Sequence, residues 1–167
     1  MTLSESAKRQ ICFKEAGSNM SVICDLLDDQ APKSAEFLWQ LAQNRSSFDA
    51  IHAIWTGPEL SCPLPASVLP EELSINVIPA ENATSYPDCG DIVLASIAAG
   101  TIEGLPPGNF FDVGLFYGEG GRMLMPFGWI EVNVCAKIIA KDLAHAQEAM
   151  AMIRQRGACQ LSFAPVE

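Results

Sequence analysis

Basic residues are scarce in this sequence of 167 residues, which holds 10 lysines and arginines against 20 aspartates and glutamates. The formal net charge at pH 7 is therefore -10. An acidic surface repels phosphate backbones and anionic lipid headgroups. We therefore expect neither a nucleic-acid partner nor a membrane partner.

Long hydrophobic runs are also missing. No stretch approaches the ~20 apolar residues that a membrane span requires, and the run from Ile92 to Ala99 has only the length of a strand. The segment from Met1 to Gln10 is polar and lacks the hydrophobic region of a signal peptide. The sequence thus predicts a cytoplasmic protein.

Closely spaced metal-ligand pairs are absent as well, although the chain has six cysteines and two histidines. Zinc sites usually draw their ligands from short paired spacings, and no C-x-x-C occurs here. We expect no metal and six free thiols, as is usual in a reducing compartment. The six are Cys12, Cys24, Cys62, Cys89, Cys135 and Cys159.

Strand alternation predicts which of these thiols are buried. Cys24 and Cys159 alternate with polar neighbours and should face the core, whereas Cys12 should face the other way. Cys62 and Cys89 stand in turn-rich segments, where exposure is expected. For Cys135 the pattern favours neither face.

Common catalytic and nucleotide-binding motifs do not occur. There is no G-x-G-x-x-G, G-K-[ST], G-x-S-x-G or H-E-x-x-H. The glycines from Gly118 to Gly121 precede a strand-like segment rather than a helix, so they predict a turn and not a phosphate loop. The sequence therefore implies no cofactor and identifies no reaction.

Apolar alternation predicts a mainly β single domain over residues 1–167, a closed barrel capped by two α-helices. The first helix starts at Pro32, and the second has Asp142 as N-cap and ends at Gly157. The proline-rich segment 58–79 is interpreted as an ordered excursion or a short extended stretch, and 98–109 as a loop. Strands are predicted over 9–15, 21–27, 49–55, 91–97, 110–117, 122–125, 131–139 and 159–163, with 110–117 and 122–125 forming a hairpin.

Two segments supply the first candidate ligand-binding residues. His52 and Trp55 belong to the strand 49–55, where His52 is either a half-buried structural residue or a functional one. Glu81, Asn82 and Tyr86 stand in a polar segment beside a proline. Such side chains either tie down their own turn or shape a pocket wall.

The stretch around Gly128 supplies the other candidates. Phe127 and Trp129 flank this glycine, which allows a ligand or another backbone to approach closely. Their rings either line a site or pack in the core. Arg122 could pair with an anionic ligand or with a local acid, and Asn133 follows on the next strand.

A family resemblance appears at these segments. The helix from Pro32 to Leu38, the strand from Ile51 to Ile54, Gly90 to Ile92, and Asn133 to Ile138 follow one another as in the cyclophilin plan. Within that plan, the segments 81–87 and 52–57 resemble more closely a bacterial family of unknown function with a cyclophilin-like fold, domain of unknown function 3830. The resemblance runs from about residue 11 to residue 163.

The resemblance implies the fold but argues against isomerase activity. Cyclophilins carry an arginine after the histidine of this strand, and here that position is Ala53. We therefore expect a non-catalytic module that binds a small molecule or a peptide, and a homo-oligomer stays open. Two alternatives are a diverged peptidyl-prolyl isomerase that uses Arg122, and an enzyme that uses His52 with Glu81 or Glu131.

Overall fold

In the computed structural model, which describes residues 8–167, the chain begins with the expected hairpin. Strands β1 (Gln10–Glu15) and β2 (Met20–Leu26) pair antiparallel, with Phe13 opposite Val22. The prediction about a signal peptide falls largely on residues 1–7, which lie outside the described part of the chain. No described helix is both long and apolar enough to cross a membrane.

Six further long strands complete the sheet, and every pairing between neighbours is antiparallel. They are β3 (Ser47–His52), β4 (Glu59–Pro65), β6 (Asp91–Ile97), β7 (Phe110–Phe116), β10 (Val132–Ile138) and β11 (Ala158–Pro165), with short β5 (Ala83–Thr84) beside β10. The order is β2-β1-β11-β3-β4-β7-β6-β10, and β10 pairs again with β2. The sheet therefore closes into an eight-stranded barrel, which confirms the predicted architecture.

The barrel interior is a continuous apolar core. Phe13 and Phe163 meet edge to face at 4.8 Å between ring centroids, and Phe37 stacks on Phe111 at 4.6 Å. These four side chains are all almost completely buried. Such packing contributes most of the driving force for folding.

Two long helices cover the barrel, as predicted. Helix α1 (Pro32–Gln43) packs on β10 and β11, and α3 (Leu143–Arg156) packs on β2 and β11. A single further turn, α2 (Glu71–Ser74), lies in the proline-rich segment. Gly157 ends α3 with a φ of 87°, as expected.

Asp142 precedes α3 but does not cap it with its side chain. Its Oδ2 instead accepts the backbone N–H of Ile23 at 2.9 Å. The carboxylate therefore ties the start of the helix to β2, a long-range contact that no local pattern indicates.

The proline-rich segment contains a full barrel strand that the sequence did not predict. Within β4, Pro63 lies opposite Asp112 of β7, and Pro65 lies opposite Phe110. Strand β3 pairs only with Ser61 and Leu60, so both prolines lie where β4 has no partner on that side. Proline is tolerated there because no ladder hydrogen bond is needed.

The predicted hairpin between 110–117 and 122–125 is wrong. Residues Leu124–Met125 form β8, which pairs with β9 (Gly128–Trp129) in a separate two-stranded sheet. The backbone N–H of Arg122 bonds the carbonyl of Thr56 instead of continuing along β7. The segment thus leaves the barrel and crosses its outer surface.

The cysteines follow the predicted alternation with one clear exception. Cys24 is fully buried in the core, and Cys159 is half-buried against it. Cys12 lies on the opposite face but is also buried, and Cys89 is half-buried. Cys62 was expected to be exposed, yet it is fully buried because it lies on the inner face of β4. Cys135 is fully buried too.

Candidate functional site

The candidate site lies on the outside of the barrel, across β4, β7 and β6. Side chains alternate along each strand, so inward-facing Leu60 and Val113 belong to the core while Ser61 and Asp112 face outward. Outward-facing Val93 of β6 belongs to a second, smaller apolar cluster. The same strands therefore build the core with one face and the floor of a site with the other.

The segment that leaves the barrel after Arg122 covers this floor. Met123 is buried in the second apolar cluster, and Met125 and Ile130 pack against it. The backbone N–H of Met123 bonds the carbonyl of Ser85, and that of Ile130 bonds the carbonyl of Met123. These bonds tie the covering segment to Ser85 and join its two ends to each other.

A cavity of about 250 Å³ remains between floor and cover. Its walls are mainly aliphatic and aromatic, with five polar residues among them. The lining residues are Ile51, His52, Ala53, Ile54, Trp55, Thr56, Glu59, Ser61, Val93, Ala95, Ile97, Leu105, Phe110, Asp112, Met123, Met125, Phe127, Ile130 and Val132.

Glu59 is the most deeply buried acid of this cavity, with 4% of its surface exposed. Its Oε1 accepts the hydroxyl of Thr56 at 2.6 Å. Burial raises the pKa of Glu59 to about 7, and the Thr56 hydrogen bond opposes that rise only in part. A carboxyl group in this state exchanges its proton near neutral pH.

Gly114 provides the space that the Glu59 carboxyl group occupies. A Cβ atom at this position of β7 would overlap Oε2 of Glu59 and come within 3.0 Å of Val93. Every other residue type would therefore push the carboxyl group out of its place. The glycine explains how a barrel strand accommodates an acid directly above it.

Asp112 is the second acid of the cavity. Both of its oxygens accept the hydroxyl of Ser61, at 2.9 and 2.8 Å. Burial and the nearby negative charge of Glu59 raise the pKa of Asp112 well above its ordinary value. The two carboxyl groups therefore titrate as a pair and resist being ionised together.

His52 lies at one end of the cavity with both ring nitrogens engaged. Nε2 is 2.7 Å from the hydroxyl of Tyr117, and Nδ1 is 2.9 Å from the carbonyl of Ala53. Burial lowers the pKa of His52, which favours the neutral ring. No carboxylate among the described residues hydrogen-bonds to it, so neither Glu81 nor Glu131 orients it as a base.

The predicted aromatic groove is divided in the structure. His52, Trp55 and Phe127 line the cavity, and more than half of each of the Trp55 and Phe127 side chains is exposed at its edge. Tyr86 and Trp129 lie outside it and contact each other, with 5.4 Å between ring centroids. The five residues thus belong to two separate surface features.

Three other candidates hold the segment 79–82 in place. Glu81 accepts the backbone N–H of Ser34 at 2.6 Å at the start of α1. Asn133 is buried, accepts the N–H of Glu81 and donates to Ser34 and Pro79. Asn82 has a φ of 48° and donates to the carbonyl of Val134. These contacts are architectural, and none of the three lines the cavity.

Arg122 is exposed and lies beside the loop that leads from β3 to β4. Its guanidinium donates to the carbonyl of Gly120 at 3.4 Å and does not line the cavity. Ala53, at the position of the cyclophilin arginine, does line it and offers a methyl group. The described lining of the cavity therefore contains neither an arginine from this strand nor Arg122, the donor on which the isomerase alternative depends.

Glu59 and Asp112 were missed by sequence reasoning. Glu59 was hidden in the proline-rich segment that was not recognised as a strand, and Asp112 was one acid in an otherwise apolar strand. A usable signal was present in the strand Phe110–Phe116. Asp112 and Gly114 occupy alternate positions there, and the other residues of the strand are apolar. Apolar packing does not explain why this face of the strand carries an acid.

The chain belongs to the family described as protein of unknown function (DUF3830), whose model matches residues 15–165. The predicted family is therefore confirmed. No curated protein matches the sequence.

Solved structures share the fold at low sequence identity. McbB in complex with tryptophan matches with a TM-score of 0.63 and 13% identity, covering 92% of this chain and 44% of McbB. The Mimivirus cyclophilin matches with a TM-score of 0.55 and 11% identity, covering 98% and 92%. The hypothetical protein AF2241 from Archaeoglobus fulgidus matches with a TM-score of 0.54 and 12% identity, covering 98% of both chains. This chain thus spans less than half of McbB, and these likenesses support the cyclophilin-like fold alone.

Proposed function

We propose that this protein binds a small, largely apolar molecule in the outer cavity, with Glu59 and Asp112 as its polar recognition groups. The observation that carries the proposal is the placement of two acids in an apolar wall. Burying a carboxyl group costs free energy unless it acquires partners. A protein that needed only a stable barrel would have apolar side chains at both positions.

The size and openness of the cavity also favour a small ligand. Its volume of about 250 Å³ lies just below the ~300 to 1,000 Å³ typical of sites for drug-sized molecules. Trp55 and Phe127 stand at the edge, where their half-exposed rings could close over a ligand. A compact molecule with one aromatic or aliphatic group fits this description.

The experiment is a screen of small aromatic compounds by thermal shift and by tryptophan fluorescence. Tryptophan and indole belong in the first set, because McbB was solved in complex with tryptophan. Tryptophan and indole are followed by thermal shift alone, because they fluoresce themselves. For the other compounds, a Trp129→Phe variant removes one of the two tryptophans outside the cavity, so that Trp39 and Trp55 remain and a ligand-induced change reports more directly on Trp55. We expect a concentration-dependent, saturable change.

A matched pair of variants separates binding in the cavity from binding elsewhere. Ala95→Phe places a ring in the cavity, whereas Ala158→Phe adds the same ring at an exposed position of β11. Binding should be lost in the first variant and kept in the second. Equal binding by both variants, or no compound that stabilises the native protein, would contradict the proposal.

A peptide with one apolar side chain in the cavity is the second candidate. Ile54 is 79% exposed beside Trp55 and Phe127, so an apolar rim extends beyond the cavity mouth. A ligand that covers this rim must be larger than the cavity itself. Competition between a binding peptide and a cavity-bound small molecule, lost on Ile54→Ser, would support this candidate.

A further inference from the structure

Resting on the proposed function, we infer that the ligand carries a cationic amine, which the Glu59 and Asp112 carboxyl groups bind at the floor of the cavity. The inference concerns the chemical class of the ligand, which the volume and the apolar walls alone do not determine.

The first argument is the unused hydrogen-bonding capacity of Glu59. Oε1 accepts the hydroxyl of Thr56, but Oε2, above Gly114, has no hydrogen-bond partner in the described part of the chain. Only 4% of the Glu59 surface is exposed, but Oε2 itself is not fully enclosed by protein and remains accessible from the cavity. A ligand that donates to Oε2 would therefore meet a largely desolvated carboxyl group with a free acceptor.

The second argument is the balance of charge around the pair. Two acids face the cavity, and none of its described lining residues is lysine or arginine. His52, the one basic side chain of the lining, has a pKa lowered by burial and is bonded at both nitrogens. At pH values where the pair is ionised, a positive charge opposite it therefore has to come from the ligand, since the described lining supplies none.

The walls favour an organic cation over a metal ion. Calcium takes six to eight oxygen ligands and magnesium about six, mostly from carboxylates, carbonyls and water. Beyond the two acids, the cavity offers mainly aliphatic and aromatic carbon. A primary or secondary amine attached to an apolar group can donate hydrogen bonds to the two acids at the floor and place its apolar part against the walls.

The titratable groups that face Glu59 are few. Strand β7 contributes Asp112, β3 contributes His52, and the loop before β4 contributes the neutral hydroxyl of Thr56. The lining residues of β6, among them Val93 and Ala95, are uncharged, as are those of the covering segment. Amine binding should therefore shift the protonation of this acid pair and of little else.

The direction of that shift follows from electrostatics. A bound ammonium group favours the ionised form of a carboxyl group and lowers its pKa. Near pH 7 the pair still holds a proton, because burial raises the pKa values of both acids. Amine binding should therefore release up to about one proton per bound ligand. The affinity for the amine should increase as the pH rises.

The experiment compares three probes of nearly equal shape: 2-phenylethylamine, 2-phenylethanol and phenylacetate. Isothermal titration calorimetry is run from pH 5 to pH 8, in buffers with different ionisation enthalpies, so that proton release is counted. We expect the amine to bind on the order of tenfold more tightly than the alcohol at pH 8, with the advantage largely lost at pH 5. Phenylacetate should bind most weakly.

Two variants with the same change of charge complete the design. Glu59→Gln should weaken the amine preference and reduce the proton release to the part that Asp112 supplies, while keeping binding of the alcohol. Glu119→Gln, on the exposed turn after β7, should leave all three probes unchanged.

The outcomes distinguish this inference from the proposed function. Equal binding of amine and alcohol at every pH, or preferred binding of phenylacetate, overturns the amine inference and leaves the cavity a ligand site. Failure of all three probes overturns the amine inference. Failure also of the compound screen overturns the proposed function.

Discussion

The inner and outer faces of β4 and β7 differ in chemical composition and in packing although they belong to the same strands. Inside the barrel, Leu60 and Val113 are fully buried in a large apolar core. Outside, Glu59 and Asp112 are set among apolar side chains beside a cavity of about 250 Å³. One face is packed for stability, and the other leaves space and carries acids.

This difference shows how a barrel of this kind separates folding from binding. Alternation along a strand allows one face to change its chemistry without disturbing the other. The outer face can hold buried carboxyl groups because the core on the inner face supplies the free energy of folding. Substitutions on the two faces should therefore have different consequences.

The largest expected effect is on the inner face. Phe111→Ala removes a fully buried ring that stacks on Phe37, and it should lower the free energy of unfolding by about 3 to 5 kcal/mol. Chemical denaturation measures this loss. Phe127→Ala, at the edge of the outer cavity, is the control and should cost about 1 kcal/mol or less. Equal losses would erase the distinction between the two faces.

Next comes the pH dependence that the outer acids impose on stability. Because the pKa of Glu59 is raised from 4.5 to about 7 in the folded state, the native protein holds an extra proton between these values. The raised pKa stabilises the folded state fully below about pH 4.5, and this stabilisation is lost as the pH rises through 7. The free energy of unfolding should change by up to about 3 kcal/mol over this range.

Glu59→Gln tests this dependence. The variant should be more stable than the native protein at pH 8, and this advantage should shrink toward pH 5. Asp112 remains in the variant, so a smaller decrease with pH persists. Urea denaturation at both pH values measures the difference, and a variant less stable than the native protein at pH 8 would show that the carboxylate is stabilising.

A smaller effect is expected at Gly114, where the two acids and the strand meet. Gly114→Ala should cost about 1 to 3 kcal/mol, because the new methyl group overlaps the Glu59 carboxyl group. In a Glu59→Ala background most of this cost should disappear. A double-mutant cycle measures the coupling between the two substitutions in the free energy of unfolding. Additive losses of stability would mean that the glycine is needed only for the backbone of β7 and not for the space that Glu59 occupies.

The smallest effects separate the cavity from the second aromatic surface. Trp129→Ala should change the affinity for 2-phenylethylamine by less than about twofold, because this ring contacts Tyr86 outside the cavity. Trp55→Ala should weaken binding by about 1 kcal/mol, since Trp55 is a lining residue. Calorimetry compares the two, and a larger loss for Trp129 would indicate that the ligand binds on the Tyr86 side.

Local patterns predicted most of the fold. Alternation identified the first hairpin and β11, and a near-continuous apolar run identified β6. The strand β10 was also predicted, although its alternation is not clean. The apolar stripe of α3 and the following Gly157 identified the second helix. Strand β4 was missed because proline usually interrupts a sheet, and its tolerance here depends on which neighbour is absent. The destination of 122–125 was missed because two strands beside a glycine turn usually form a hairpin.

The candidate site was predicted only in part. His52, Trp55 and Phe127 were recognised as candidates, since aromatic residues and histidine beside glycine suggest a pocket. Glu59 and Asp112 were not recognised among the 20 acids of the chain. Glu59 lies in a segment that was not predicted as a strand, and the alternation of Asp112 with Gly114 was the one local signal. Their burial exists only once β4, β7 and the covering segment have come together.

By itself the sequence determined the barrel, its two helices and the family. Hydrophobic periodicity and short motifs are local properties, which can be recognised without knowing what the segment contacts in the folded protein. Only the tertiary structure decided which acids are buried and where the cavity lies. Both depend on residues far apart in the chain, since Thr56 and Glu59 meet Asp112 and Gly114 across a strand pairing while residues 123–130 close the space from outside. A carboxyl group acquires an unusual pKa from its surroundings, and those surroundings are assembled by folding.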